Sequence, residues 1–199
     1  LSLLNQQGEL VAAVSDMAIV DSLTVECLSL RSIVINNAAA LVLDANLPAA
    51  SLEYLLREYA HIPIFVDPVS TAKAGKIRRQ LSAIHTLKPN QLEAEQLAGI
   101  EIKSPQDLSA VADFFHRVGV SELYLSLGAD GVFASRQGEQ KMIPAAKGDL
   151  RSVTGAGDAF MAGLVFSHLN KSGWPQGPAG DVPYSWAVCR KGQGHGARI

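Results

Sequence analysis

The stretch Val153-Thr154-Gly155-Ala156-Gly157-Asp158-Ala159-Phe160-Met161-Ala162-Gly163 sets small residues ahead of a carboxylate and an apolar run. Gly155, Ala156 and Gly157 leave the backbone N–H groups unobstructed, and an apolar, helix-favouring run starts at Ala159. If the small residues open that helix, its unpaired N–H groups and the positive end of its dipole face any anion held there. Asp158, in the first turn, then reaches the same spot, where a carboxylate suits the role of a base taking a proton from an attacking hydroxyl. The residues read as a phosphoryl-transfer site, with Asp158 as the general base and Gly155, Ala156 and Gly157 as an anion hole. Thr154 either lends a hydroxyl to the phosphates or caps the helix. The plainer alternative is a closely packed helix start with a solvated acid, which a Gly-x-Gly-Asp taken alone would favour.

Such a site needs a scaffold, and the pattern upstream supplies one. The apolar runs Ala40-Leu41-Val42-Leu43, Ile64-Phe65-Val66 and Leu123-Tyr124-Leu125 predict buried strands, while 52–59, 91–98 and 108–118 carry helical spacing. This alternation predicts an α/β fold with a mostly parallel sheet flanked by helices. At the start, Leu1 to Leu4 and Leu10 to Val14 surround the polar turn Asn5-Gln6-Gln7-Gly8, the pattern of a small β hairpin near 1–15. Asp44 and Asp67 each follow a predicted strand, at the end where ligands of open α/β sheets gather. Either could contact substrate or serve as a turn acid ahead of Pro48 or Pro68.

The 153–163 run resembles the second signature of the PfkB carbohydrate kinases, the ribokinase-like family that phosphorylates sugars and nucleosides. Two further blocks resemble the family in the same order. Leu87-Lys88-Pro89-Asn90-Gln91-Leu92-Glu93-Ala94-Glu95 is similar to its Asn-x-x-Glu element, and Ser126-Leu127-Gly128-Ala129-Asp130-Gly131-Val132 to its nucleotide-side strand and glycine turn. Within the family, Ile64-Phe65-Val66-Asp67-Pro68-Val69-Ser70 and Ile84-His85-Thr86-Leu87-Lys88-Pro89-Asn90 most resemble the pseudouridine kinases. The resemblance runs from Leu1 to about Leu169. It implies a partial ribokinase-like kinase domain over 1–169, with the opening hairpin as its lid. The implied activity is ATP-dependent phosphorylation of the 5'-hydroxyl of pseudouridine.

By the same resemblance, Asn90 and Glu93 organise magnesium and phosphate, through water because Mg²⁺ keeps much of its hydration. Three residues apart near a helix start, they could equally be a capping pair. Lys88 would neutralise phosphate, unless it is an ordinary surface lysine, and Gly128 and Gly131 would shape the nucleotide-side turn, unless they belong to a plain hairpin. Many relatives carry an acid where this chain has Ser152, which leaves activation by a monovalent cation open. A kinase for another sugar or nucleoside, or an inactive ligand-binding fragment of the kinase fold, are the alternative readings.

At 199 residues the chain can bury one substantial core. A content of 48% hydrophobic and 18% charged residues, with a net charge of −2, fits a globular protein and gives no electrostatic reason to expect nucleic acid. Any anionic ligand must be held locally. Cys27 and Cys189 form no disulfide framework or zinc pattern, so a reduced, cytoplasmic setting is expected. No run reaches membrane-spanning length, and His61, His85, His116, His168 and His195 show no metal-ligand spacing.

Residues 170–199 lack apolar periodicity and are expected to form an atypical, irregular tail. Its glycines at 192, 194 and 196 follow no clear strand, so no nucleotide loop is expected there. The family's early glycine-rich signature and sugar-contacting acid are absent, so this stretch alone is expected to lack much of its acceptor pocket and to turn over weakly or not at all. The hairpin's strand edges leave a homodimer through the lid open.

Overall fold

A computed structural model of the chain describes residues 2–4, 10–13, 16–136, 138–145 and 155–171, the first two segments as backbone. It divides into two compact units, Leu1–Ser15 with Ala145–Ile199, and Asp16–Pro144.

In the larger unit the apolar runs become strands, and the second of them is buried along its whole apolar stretch. Strand β4 (Ile64–Asp67) follows β3 (Leu41–Asp44), and Ile64, Phe65 and Val66 are all buried, as expected of a parallel strand between helical layers. Strands β5 (Thr86–Leu87) and β6 (Glu122–Ser126) continue the parallel sheet, and β7 (Val132–Arg136) and β8 (Glu139–Ile143) extend it as an antiparallel meander. The sheet order is β3-β4-β5-β6-β7-β8.

Before the sheet come two short helices, α1 (Val25–Ser29) and α2 (Ser32–Asn36). The crossovers are α3 (Ala49–Glu58), then α4 (Thr71–Ala74) running into a 3-10 stretch (Gly75–Ala83), then α5 (Gln91–Ala98) and α6 (Pro105–Arg117). Leu52, Leu56, Ile77, Leu97, Val111 and Phe115 from these helices pack with Ile64, Val66, Leu87, Leu123 and Leu125 of the sheet into one core. Helix α5 spans the residues its spacing predicts. The short β5, the β7–β8 hairpin and the helices α1 and α2 were not anticipated.

In the smaller unit β1 (Ser2–Leu4) pairs antiparallel with β2 (Leu10–Ala13), with a register shift between Leu3 and Leu4. This is the hairpin the sequence predicts; its turn, 5–8, lies outside the described residues. The same unit holds α7 (Ala156–Leu169), capped at its end by Asn170. The expected irregular tail falls almost entirely outside the described residues. Among the described residues no helix is long and apolar enough to cross a membrane.

Candidate active site

The parallel strands deliver polar side chains to one edge of the sheet. Asp67 closes β4, and Lys88 follows the last residue of β5, its own backbone N–H donating to the Val66 carbonyl at 3.0 Å. Lys88 Nζ lies 2.9 Å from Asp67 Oδ2, with the lysine side chain 7% exposed and the aspartate 20%. Lys88 is therefore no surface lysine. Its charge is neutralised within the fold, which is what a buried ammonium requires. The other carboxylate oxygen, Asp67 Oδ1, accepts the Val69 N–H at 2.9 Å.

Beside this pair, Asn90 and Glu93 open α5 as a reciprocal cap. Glu93 N–H donates to Asn90 Oδ1 at 2.9 Å, while Asn90 N–H and Nδ2 donate to Glu93 Oε2 and Oε1 at 2.9 and 2.7 Å. Glu93 is only 3% exposed. Burial pushes its carboxyl above the ordinary glutamate value; the Asn90 N–H opposes that shift, the nearby Asp67 charge adds to it and Lys88 counters it. Asp67, Lys88 and Glu93 thus share one electrostatic field. Sequence reasoning left the capping pair and the ligand-organising pair as alternatives. The geometry makes the residues a cap, and each Glu93 oxygen still has a second lone pair.

Asn90 also bridges to Ser126 at the end of β6, where the Ser126 N–H donates to the Pro89 carbonyl at 2.9 Å. Gly128 and Gly131 follow, with φ of 61° and 99°, and the Leu127 N–H closes the turn on the Gly131 carbonyl at 2.8 Å. The turn joins antiparallel β6 and β7, so it is a hairpin. It nevertheless lies at the same sheet edge as Asn90. Among the described residues no group of three or more His, Cys, Asp or Glu side chains could hold a metal ion directly. The carboxylate oxygens of Glu93 and Asp67 at this edge are the ligand type that a hard cation such as Mg²⁺ takes.

Asp44 pairs in register with Asp67 across β3 and β4 but is engaged differently. It is exposed, and its two oxygens accept from Asn46 N–H and Nδ2 at 2.9 and 2.8 Å, the pattern of a turn acid. Lys73 donates to Asn46 Oδ1 at 2.5 Å, and Lys76 to the Ala45 and Leu47 carbonyls at 2.9 Å each. These two lysines, which the sequence did not single out, pin the turn from α4 and the 3-10 stretch after it.

In the smaller unit α7 starts at Ala156, earlier than the apolar onset at Ala159. Gly155 caps it with φ 81° and ψ 0°, a left-handed conformation suited to glycine. The first helical bond runs from the Ala159 N–H to the Gly155 carbonyl at 2.9 Å. The N–H groups of Ala156, Gly157 and Asp158 accordingly have no acceptor within the helix. Asp158 stands exposed in that first turn, beside those donors. Ser152, Val153 and Thr154 lie outside the described residues.

A profile of the pfkB family carbohydrate kinases matches residues 4–176. The chain belongs to that family. It is 45% identical to the pseudouridine kinase of Escherichia coli (strain K12) over 166 residues, covering 83% of this chain and 53% of that one. The crystal structure of ribokinase from Thermotoga maritima covers 94% of this chain with a TM-score of 0.74 at 20% identity, the match taking in 59% of that protein. The structure of Arabidopsis thaliana ribokinase complexed with ribose and ATP covers 71% of this chain and 46% of its own, at a TM-score of 0.64 and 22% identity. The fold is ribokinase-like, and this PfkB-family chain spans about half the length of the relatives it matches.

Proposed function

We propose that the protein is an ATP-dependent kinase that phosphorylates the 5'-hydroxyl of a nucleoside, pseudouridine. The observation that carries this reading is the Gly155-capped start of α7, where N–H donors with no acceptor within the helix and the exposed carboxylate of Asp158 occupy one helical turn. The identity of 45% to a pseudouridine kinase supports the acceptor.

In phosphoryl transfer the protein contributes alignment and charge stabilisation more than covalent chemistry. Asp158 takes the proton of the acceptor hydroxyl as its oxygen bonds to the γ-phosphorus of ATP. The bond from that phosphorus to the β,γ-bridging oxygen breaks, and its electron pair leaves with ADP. The N–H groups at the start of α7, with the helix dipole, oppose the negative charge on the moving phosphoryl group. Magnesium, when bound with the nucleotide, supplies further neutralisation of the phosphates, and Asn90 and Glu93 would hold it through water. Lys88, already paired with Asp67, organises the sheet edge.

Asp158→Asn in the full-length protein should lower turnover about a hundred- to ten-thousand-fold, the range for loss of a general base, with ATP affinity unchanged. Steady-state kinetics and nucleotide titration check this; wild-type turnover in the variant would remove Asp158 from the mechanism. A panel of nucleosides and free sugars tests the acceptor.

A further inference from the structure

The sheet edge at the candidate site sets one buried ammonium against two carboxylates, all from the larger unit. Lys88 Nζ lies 2.9 Å from Asp67 Oδ2, and the lysine's charge also acts on buried Glu93. Asp67 is fixed on its other side as well. Its Oδ1 accepts the Val69 N–H at 2.9 Å, with Val69 at a φ of 67° that a β-branched residue seldom takes. The ammonium cannot swing out without leaving Asp67 largely buried and unpaired, so it is a permanent part of the edge.

With both carboxylates ionised, the three groups leave a single net negative charge. Without the lysine, Asp67 and Glu93 would stand as two carboxylates whose charges already act on one another. Each keeps oxygen lone pairs beyond its hydrogen bonds, and carboxylates close together are what a hard divalent cation takes as ligands. Lys88 fills that place with a charge of its own.

We infer that Lys88 is a specificity-determining residue, a resident counter-ion that keeps a free divalent cation off this edge and reserves it for one arriving on the nucleotide's phosphates. A bare cation is repelled by the ammonium, whereas a cation already bound to phosphate brings negative charge that the ammonium attracts. This rests on the kinase reading above.

The test uses the full-length protein without nucleotide, with Mn²⁺ alone as the probe and its free fraction read by electron paramagnetic resonance. Affinity should follow the charge left at the edge. Lys88→Met should bind Mn²⁺ at least about tenfold more tightly than wild type. Asp67→Asn, which leaves the ammonium to Glu93 alone, should bind it more weakly than wild type. Adding Lys88→Met to Asp67→Asn restores a single negative charge and should return the affinity to the wild-type value. That second comparison stands even where Lys88→Met alone fails to fold, because the double variant leaves neither charge of the pair behind. It also separates the lysine's charge from mere loss of a ligand, which would leave the double variant as weak as Asp67→Asn. Equal affinity with and without Lys88 in both backgrounds would overturn the inference. Mn²⁺ binding undetectable in every variant would do the same, since the lysine would then exclude nothing. For the complex of Mn²⁺ with ATP, wild type should bind at least as tightly as Lys88→Met, and tighter binding by the variant would also count against the inference. A wild-type protein that phosphorylates no acceptor would sink the kinase reading and the nucleotide half of the inference, whatever order the Mn²⁺ affinities take.

Discussion

Helices α5 and α6 begin with the same local device and put it to different ends. At α5 the Glu93 carboxylate accepts the Asn90 N–H at 2.9 Å; at α6 the Asp107 carboxylate accepts the Ser104 N–H at 2.8 Å, together with the Ser104 hydroxyl at 2.8 Å and the Lys103 N–H at 3.0 Å. The bonds to Ser104 and Lys103 hold the Asp107 carboxyl below the ordinary aspartate value, whereas burial holds that of Glu93 above the glutamate value. Asp107 is a partly exposed cap. Glu93 is desolvated beside a second carboxylate and a buried ammonium, at the edge of the sheet where ligands gather. The hydrogen-bond pattern is therefore silent about function; what surrounds it is informative.

The sharpest contrast lies in the lysine next to each cap. Lys88→Met leaves the Asp67 charge largely buried without its partner and should cost about 3–5 kcal/mol of folding stability. Lys103 pairs with Glu101 at 2.8 Å, but the two side chains are 72% and 67% exposed. Lys103→Met should change stability by less than about 1 kcal/mol. Denaturant unfolding measures both, and equal losses would mean that the Lys88 pair is as well solvated as a surface one.

Removing the caps themselves should separate the helices by less. Ser104→Ala deletes a surface cap, worth about 1 kcal/mol. Asn90→Ala also takes a donor from a buried carboxylate, so a loss of about 2–3 kcal/mol is expected. Similar losses would show that Glu93 recovers its missing bond from water.

Much of this contrast was legible in advance, and the unread part has physical causes. Asn90 and Glu93 carry a capping signature three residues apart, and the 91–98 periodicity fixes α5. The start of α7 falls where the small residues place it, with Gly155 as the cap and Asp158 in the first turn, although Ala156 and Gly157 precede the apolar run. Strand β5 has two residues, too few to show a period, and β8 exposes Glu139 and Gln140. Of the site residues, Asp67, Asn90, Glu93 and Asp158 stand out by type and position. The burial of Lys88 does not, because nothing in a lysine's neighbours along the chain reports which partner the next strand brings to it. Val69 could not be read at all: its residue type argues against the conformation it adopts.

The smallest effect is the one that tests the cause of the contrast, since it rests on single protons. The folded state binds the Glu93 proton more tightly than the unfolded chain does, so stability is greatest below the ordinary glutamate value. It declines as pH rises from there through the raised one. For Asp107 the unfolded chain binds the proton more tightly, so its stabilisation is full above the ordinary aspartate value and is lost as pH falls through the lowered one. Glu93→Gln should remove a decline on the alkaline side of the carboxylate range, and Asp107→Asn one on the acid side. Unfolding midpoints followed across that range in magnesium-free buffer should give difference curves of opposite slope. If both slopes had the same sign, burial would not be what distinguishes the helix start at the candidate site from the one outside it.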